Sequence, residues 1–248
     1  MKRRSLVFAL VIAALLFPLS VRAQDPTALP ITSADVEIVS GDQAYVSYLA
    51  APNEGGPHPA VVLIHSFRGL EEGYRTMTDQ FAAEGFVVLA VGWQTFEQNP
   101  ADATMEQLLR DSVAFLTARE DVDAARIGLT GFCAGGRYTM RYLPILGDLF
   151  AAGVAWYGFP NDGSPSGMDL VGDVADPLLI IHGTKDDPSP IGDIYEYAEA
   201  LDDAGAYFEL KVYQGEPHGF MLQGGQLRTD EIAQDAYQEM VTFFQRKL

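Results

Sequence analysis

The stretch Arg126-Ile127-Gly128-Leu129-Thr130-Gly131-Phe132-Cys133-Ala134-Gly135-Gly136-Arg137 decides how this chain is read. Residues 126–130 have the composition of a short buried strand, and residues 134–146 suit a helix. Cys133 therefore stands where a strand turns sharply into a helix. Such a turn needs strained dihedrals at its apex and glycines beside it, because flanking side chains would collide with neighbouring backbone. The helix behind the cysteine points its positive end at the sulfur, which favours thiolate. A Gly-rich turn around a buried cysteine is the plainer alternative, so the rest of the chain has to decide.

Outward from this stretch, strands and helices alternate. Residues 60–65, 86–91, 151–157 and 178–181 are nearly unbroken apolar runs, as in strands buried on both faces. Residues 36–39 and 44–50, separated by Gly41-Asp42, read as an opening antiparallel pair. Residues 207–213 form a last strand. Helical spacing marks 71–84, 103–118 (Leu108, Leu109, Val113 and Leu116 on one face), 191–204 and 229–247. In the last of these Ile232, Ala236, Met240, Val241 and Phe244 are expected to face inward. This order predicts an α/β fold: a mostly parallel sheet of about eight strands with helices on both faces. The Gly/Pro/Asp-rich stretch between 157 and 178 has no strong helical period, so no large lid domain is expected there.

In an open parallel sheet, functional groups gather beyond the carboxyl ends of the strands. Two further loops carry chemistry. After 178–181 comes His182-Gly183-Thr184-Lys185-Asp186-Asp187-Pro188, where a carboxylate can orient a histidine. Asp186 is preferred for its place at the end of the turn, and Asp187 stands second; a plain helix-capping turn is the alternative. After 207–213 comes Gly215-Glu216-Pro217-His218-Gly219-Phe220. The order Cys133, Asp186, His218 is the nucleophile, acid, histidine order of an α/β-hydrolase. The oxyanion donors are then backbone N–H groups, that of Ala134 and that of Phe67 in the loop after 60–65. His58, His65 and His182 have no place in this triad, and His65 and His182 read as structural.

Gly131-Phe132-Cys133-Ala134-Gly135-Gly136-Arg137, together with Pro217-His218-Gly219-Phe220, resembles the dienelactone hydrolase family over about residues 35–248. The cysteine in place of serine is the distinguishing mark. The resemblance implies that Cys133 is nucleophile, His218 base and Asp186 its orienting acid. It implies hydrolysis of an enol-lactone or similar activated ester, with no metal or organic cofactor. Ser66 departs from the pattern, since the best-studied members carry glutamate there, and their substrate-binding arginines have no clear match. Ser66, Arg68, Trp93 and Arg137 lie where they can line the site, and the two arginines can supply a replacement charge. A general small-substrate carboxylesterase, or a binding or redox-active protein on the same fold, are the alternative functions.

The composition narrows partners and location. The chain has 248 residues, 16 Lys+Arg, 34 Asp+Glu and one cysteine. A single cysteine excludes an intramolecular disulfide framework and a multi-thiolate zinc site, and no metal-ligand spacing appears. Lys2-Arg3-Arg4, an apolar run over 6–19 and Val21-Arg22-Ala23 have the layout of a secretory signal over 1–23, too short for a comfortable membrane span. Residues 24–34 read as a linker and 35–248 as one domain. Removal of 1–23 leaves 12 basic against 34 acidic residues, a net charge of −22. That balance disfavours nucleic acid and strongly anionic substrates. The expected partner is a small ester or lactone, with the protein exported.

Overall fold

The computed structural model describes residues 28–248. The secretory signal read over 1–23 lies outside the described residues.

The opening pair is β1 (Ile31–Ser40) and β2 (Gln43–Pro52). Then follow β3 (His58–Ile64), α1 (Glu72–Ala83), β4 (Val87–Val91), α2 (Asp102–Thr117), β5 (Val122–Phe132), α3 (Ala134–Ile145) and β6 (Ala152–Trp156). After a 3-10 turn (Met168–Asp173) come β7 (Leu178–Lys185), α4 (Ile191–Ala204), β8 (Phe208–Pro217), a two-residue hairpin β9 (Leu222–Gln223) and β10 (Gln226–Leu227), and α5 (Glu231–Lys247). The eight-stranded sheet has the order β1-β2-β4-β3-β5-β6-β7-β8. The pairings of β2 with β1 and β4 are antiparallel, and all others are parallel.

The alternation of side chains along each strand feeds two cores. On β3, Val62 and Ile64 join the cluster packed by α2, α3 and α4, while Val61 and Leu63 join the one packed by α1 and α5. The unbroken apolar runs follow from this, since both faces of the central strands are covered.

β1 and α5 differ from the sequence reading. β1 begins at Ile31, inside the segment read as linker, with Ile31 opposite Pro52. It is an edge strand whose residues 32–35 are all exposed, so polar Thr32, Ser33 and Asp35 cost little there and hide the strand signal. Ile232 is exposed, and α5 instead buries Ala233, Ala236, Met240, Val241, Phe243 and Phe244. Asp230 caps that helix by accepting from the Ala233 N–H, which sets the phase and leaves Ile232 in the first turn facing out.

β5, β7 and β8 each run further than their apolar cores suggest. They end at Phe132, Lys185 and Pro217, one residue before Cys133, Asp186 and His218. The chain reverses direction across the sheet between β3 and β5, since β4 lies on one side of β3 and β5 on the other. This is the switch point where open α/β sheets form their crevice.

The close approach of α3 to β3 depends on Gly135. A Cβ there would overlap the Ile64 carbonyl oxygen, a backbone atom that cannot rotate aside. Gly135→Ala is expected to cost about 1–3 kcal/mol by overpacking and to lower Tm by several degrees. Gly192→Ala, where nothing lies within 4 Å of the added carbon, should leave Tm nearly unchanged. Paired thermal melts check this, and equal melting points for the two variants would contradict it.

Candidate active site

Cys133 occupies the apex between β5 and α3 with φ 59° and ψ −112°. For a non-glycine residue this is strained backbone. Its N–H donates to the Trp156 carbonyl at 3.0 Å, and its carbonyl accepts from Arg137 N–H at 3.0 Å. Gly131 and Gly136 make the turn possible, since a Cβ on either would overlap the carbonyl of Gly135 or Trp156. The sulfur is half-buried at the N-terminus of α3.

His218 lies just past β8, followed by Gly219 at φ 69°. Its Nδ1 sits 2.8 Å and 3.0 Å from the two carboxylate oxygens of Asp186. The carboxylate only accepts, so Nδ1–H donates and Nε2 is left free for the sulfur side. Burial works against the charged ring, but the hydrogen bonds to Asp186 and Cys133 outweigh it and lift its pKa to about 9. Asp186 is buried, whereas Asp187 is exposed. The other oxygen contacts on Asp186 hold it in place. Ser189 N–H donates to Oδ1 at 2.8 Å. His182, fully buried, donates from Nε2 to the Ser189 carbonyl at 2.8 Å and lies 3.5 Å from Asp186 Oδ2. The site thus includes His182 in its support.

The N–H groups of Ala134 and Phe67 donate to no group among the described residues. The Phe67 loop is braced from behind, because its carbonyl accepts from Gln94 at 3.2 Å and from Gln98 at 2.8 Å. Two cavities meet at Cys133. One, of about 400 Å³, is lined by Ser66, Arg68, Glu71, Tyr74, Tyr157, His218 and the β9–β10 hairpin. The other, of about 250 Å³, is lined by Trp93, Ala134, Arg137 and Tyr138. Phe67 and Phe159 border both.

The four flanking residues named from the sequence are distributed over these cavities. Ser66 accepts from Arg68 N–H at 3.3 Å, and the Arg68 side chain is exposed at the mouth of the larger cavity. Arg137 stacks over Tyr138 at 4.5 Å in the smaller one. Neither arginine has an acidic partner among the described residues. Trp93 is 1% exposed, and its indole N–H is already committed to the His65 carbonyl at 3.1 Å. It therefore offers a ring wall and no free donor.

The sequence model of the Dienelactone hydrolase family matches residues 46–248. The chain belongs to the dienelactone hydrolase family. It is 27% identical over 238 residues to a protein of Methylorubrum extorquens that bears the provisional name carboxymethylenebutenolidase, covering 87% of this chain and 81% of that one. It is 29% identical over 255 residues to an Escherichia coli K12 protein of the same provisional name, covering 89% and 94%. A crystal structure from Klebsiella pneumoniae, provisionally named a dienelactone hydrolase, superposes with TM-score 0.79 at 27% identity, covering 88% of this chain and 99% of that one. Like that structure, this dienelactone hydrolase family member has no large domain added to the sheet among the described residues.

The fold also buries groups that no sequence motif marks. Tyr157 has φ 35°, stands edge-on to the His218 ring at 5.3 Å, and lines the larger cavity. Tyr74 reaches the same cavity from α1. Only the Gly-Gly at 224–225 marked the hairpin wall in the sequence, as a two-residue turn between Gln223 and Gln226. Among the described residues no cluster of three His, Cys, Asp or Glu is arranged to hold a metal ion, and no helix is long and apolar enough to cross a membrane.

His65 carries the support of the Phe67 loop. Its ring stacks on Trp93 at 5.2 Å, and its Nδ1 donates to the Ser66 carbonyl at 2.7 Å. Burial lowers its pKa to about 4. The neutral ring is thus favoured by folding, so its contribution is complete above pH 6.5 and is lost as pH falls toward 4. The loss amounts to about 3 kcal/mol. In urea titrations between pH 7 and 4, wild type should lose about that much more stability than His65→Gln. Parallel declines would contradict a buried neutral ring.

Proposed function

We propose that this hydrolase cleaves activated esters or enol-lactones through a thioester on Cys133, with His218 and Asp186 completing the triad. The observation that carries the reading is the His218 ring, held by Asp186 at 2.8 Å on one side and interacting with the Cys133 sulfur on the other. A ring whose pKa is lifted to about 9 holds a proton readily at neutral pH, so beside the sulfur it either draws the proton from the thiol or pairs with the thiolate.

The sulfur attacks the ester carbonyl, and the oxyanion that forms is met by the N–H groups of Ala134 and Phe67. Each such donor typically contributes about 3–4 kcal/mol. His218 then gives its proton to the departing alkoxide or enolate. The neutral ring draws a proton from water, and the hydroxide formed cleaves the thioester. Thiolate leaves a tetrahedral centre more easily than alkoxide, so turnover needs a substrate whose own leaving group is good. This favours enol and aryl esters over amides. Arg68 and Arg137, both without acidic partners among the described residues, are proposed to face polar groups of the substrate, with Ser66 and Trp93 shaping the walls.

The proposal includes export, on the pattern of Lys2-Arg3-Arg4, the apolar run and Val21-Arg22-Ala23. N-terminal sequencing of protein recovered from outside the cytoplasm should then begin at Gln24, and an intact Met1 would count against it.

The test of function is an assay on aryl esters and enol-lactones with and without iodoacetamide. Alkylation of Cys133 should abolish turnover, and His218→Ala should slow alkylation at pH 7. Full turnover by the alkylated enzyme would sink the reading.

A further inference from the structure

We infer that Arg228 is the positioning residue that fixes the His218 ring toward Cys133, an inference that rests on the triad reading above. His218 sits in a loop between the end of β8 and the β9–β10 hairpin, and one guanidinium grips that loop on both sides of it. Arg228 Nη1 donates to the Glu216 carboxylate at 2.6 Å, two residues before His218. The same nitrogen donates to the Phe220 carbonyl at 2.8 Å, two residues after it. The other edge of the fork is bidentate to Asp230, with Nε at 2.7 Å and Nη2 at 3.0 Å. Asp230 in turn caps α5 through the Ala233 N–H at 3.2 Å. The Arg228 backbone N–H adds a bond to the Met221 carbonyl at 2.9 Å.

The grip has a rigid base at both ends. Glu216 is buried, and its carbonyl presses on Gly183 of β7 so closely that a Cβ at 183 would overlap it. That contact lies three residues before Asp186. The loop is therefore braced against the strand that carries the acid, and tied by Arg228 to the helix that follows. Gly219 at φ 69° makes the loop bend easily, so the ring's direction is set by these ties and not by local backbone stiffness. The planar fork of arginine is suited to holding a carbonyl and two carboxylates at once.

The experiment compares wild type, Arg228→Met and the double variant Arg228→Met/Glu216→Gln. Measured are Tm, kcat and KM on an aryl ester, and the pH profile of Cys133 alkylation by iodoacetamide. Arg228→Met should lower kcat by about 10- to 100-fold, the scale of a misplaced catalytic group, with KM changed less than about threefold. Alkylation at pH 7 should slow with it, because the ring no longer meets the sulfur. Arg228→Met also strands a buried carboxylate, so its Tm should fall. The double variant removes that charge and should regain much of the Tm while kcat stays low. If kcat and the alkylation profile return together with Tm, or never change, Arg228 is only structural and the inference is overturned. If alkylated wild-type enzyme still turns over, the reading of Cys133 has failed instead.

Discussion

Replacing Cys133 by alanine is expected to lower kcat/KM on aryl and enol esters by at least about 10⁴-fold, as loss of a triad nucleophile does elsewhere. The variant keeps the Ala134 and Phe67 N–H groups and the His218–Asp186 pair, so it still binds and polarises the carbonyl. It lacks only the atom that would share the acyl group, and hydrolysis must then proceed by direct attack of water. The residual rate therefore measures what the oxyanion donors achieve alone. The fold should be unaffected, since alanine is smaller than cysteine and the strained φ of 59° at the apex is no worse for it. Steady-state kinetics with a melting curve on the same preparation checks both halves. Undiminished turnover at an unchanged Tm would remove Cys133 from the chemistry.

The second large effect is expected at Asp186. Asp186→Asn preserves size and still lets the side-chain oxygen accept from Ser189 N–H, which Asp186 does at 2.8 Å. It removes the charge that holds His218 Nδ1–H at 2.8 Å. Two consequences follow. The ring is free to take the wrong tautomer, which in a serine triad costs about 10⁴ in kcat. Its pKa also loses the support that offsets burial, so it falls from about 9, and the sulfur loses its cationic partner at neutral pH. Cys133 alkylation at pH 7 should slow accordingly. Asp187→Asn, at an exposed position, should match wild type in both measurements. Equal losses at 186 and 187 would contradict the geometry of the pair.

What the sequence made legible, and what it hid, follows from which interactions are local. The elbow was readable because its glycines cluster within six residues of the sequence, although only Gly131 meets a local carbonyl, that of Gly135, while Gly135 meets the Ile64 carbonyl of β3. The order of Cys133, Asp186 and His218 along the chain let these three be grouped, because a parallel sheet brings successive strand ends to one edge. The choice between Asp186 and Asp187 is different. The spacing already favoured Asp186, and its burial beside His182 and Ser189 is a separate tertiary feature that the spacing does not contain. Tyr74 and Tyr157 enter the larger cavity through packing across the sheet, so single-chain patterning gave no sign of them. Edge strand β1 escaped because half its residues face water, and Ile232 misled because the cap at Asp230 sets the phase of α5. Arg228 stayed invisible because its partners at 216, 220 and 230 converge only when the loop is folded.

The central claim is that the acyl group passes through sulfur. Rapid acid quenching during turnover of an aryl acetate, followed by mass spectrometry of the peptide containing Cys133, tests it most directly. The account predicts one acetyl group on Cys133, appearing and decaying at rates consistent with kcat, and sensitive to hydroxylamine. Turnover with no acyl adduct on Cys133 at any quench time, or with the adduct on another residue, would contradict it.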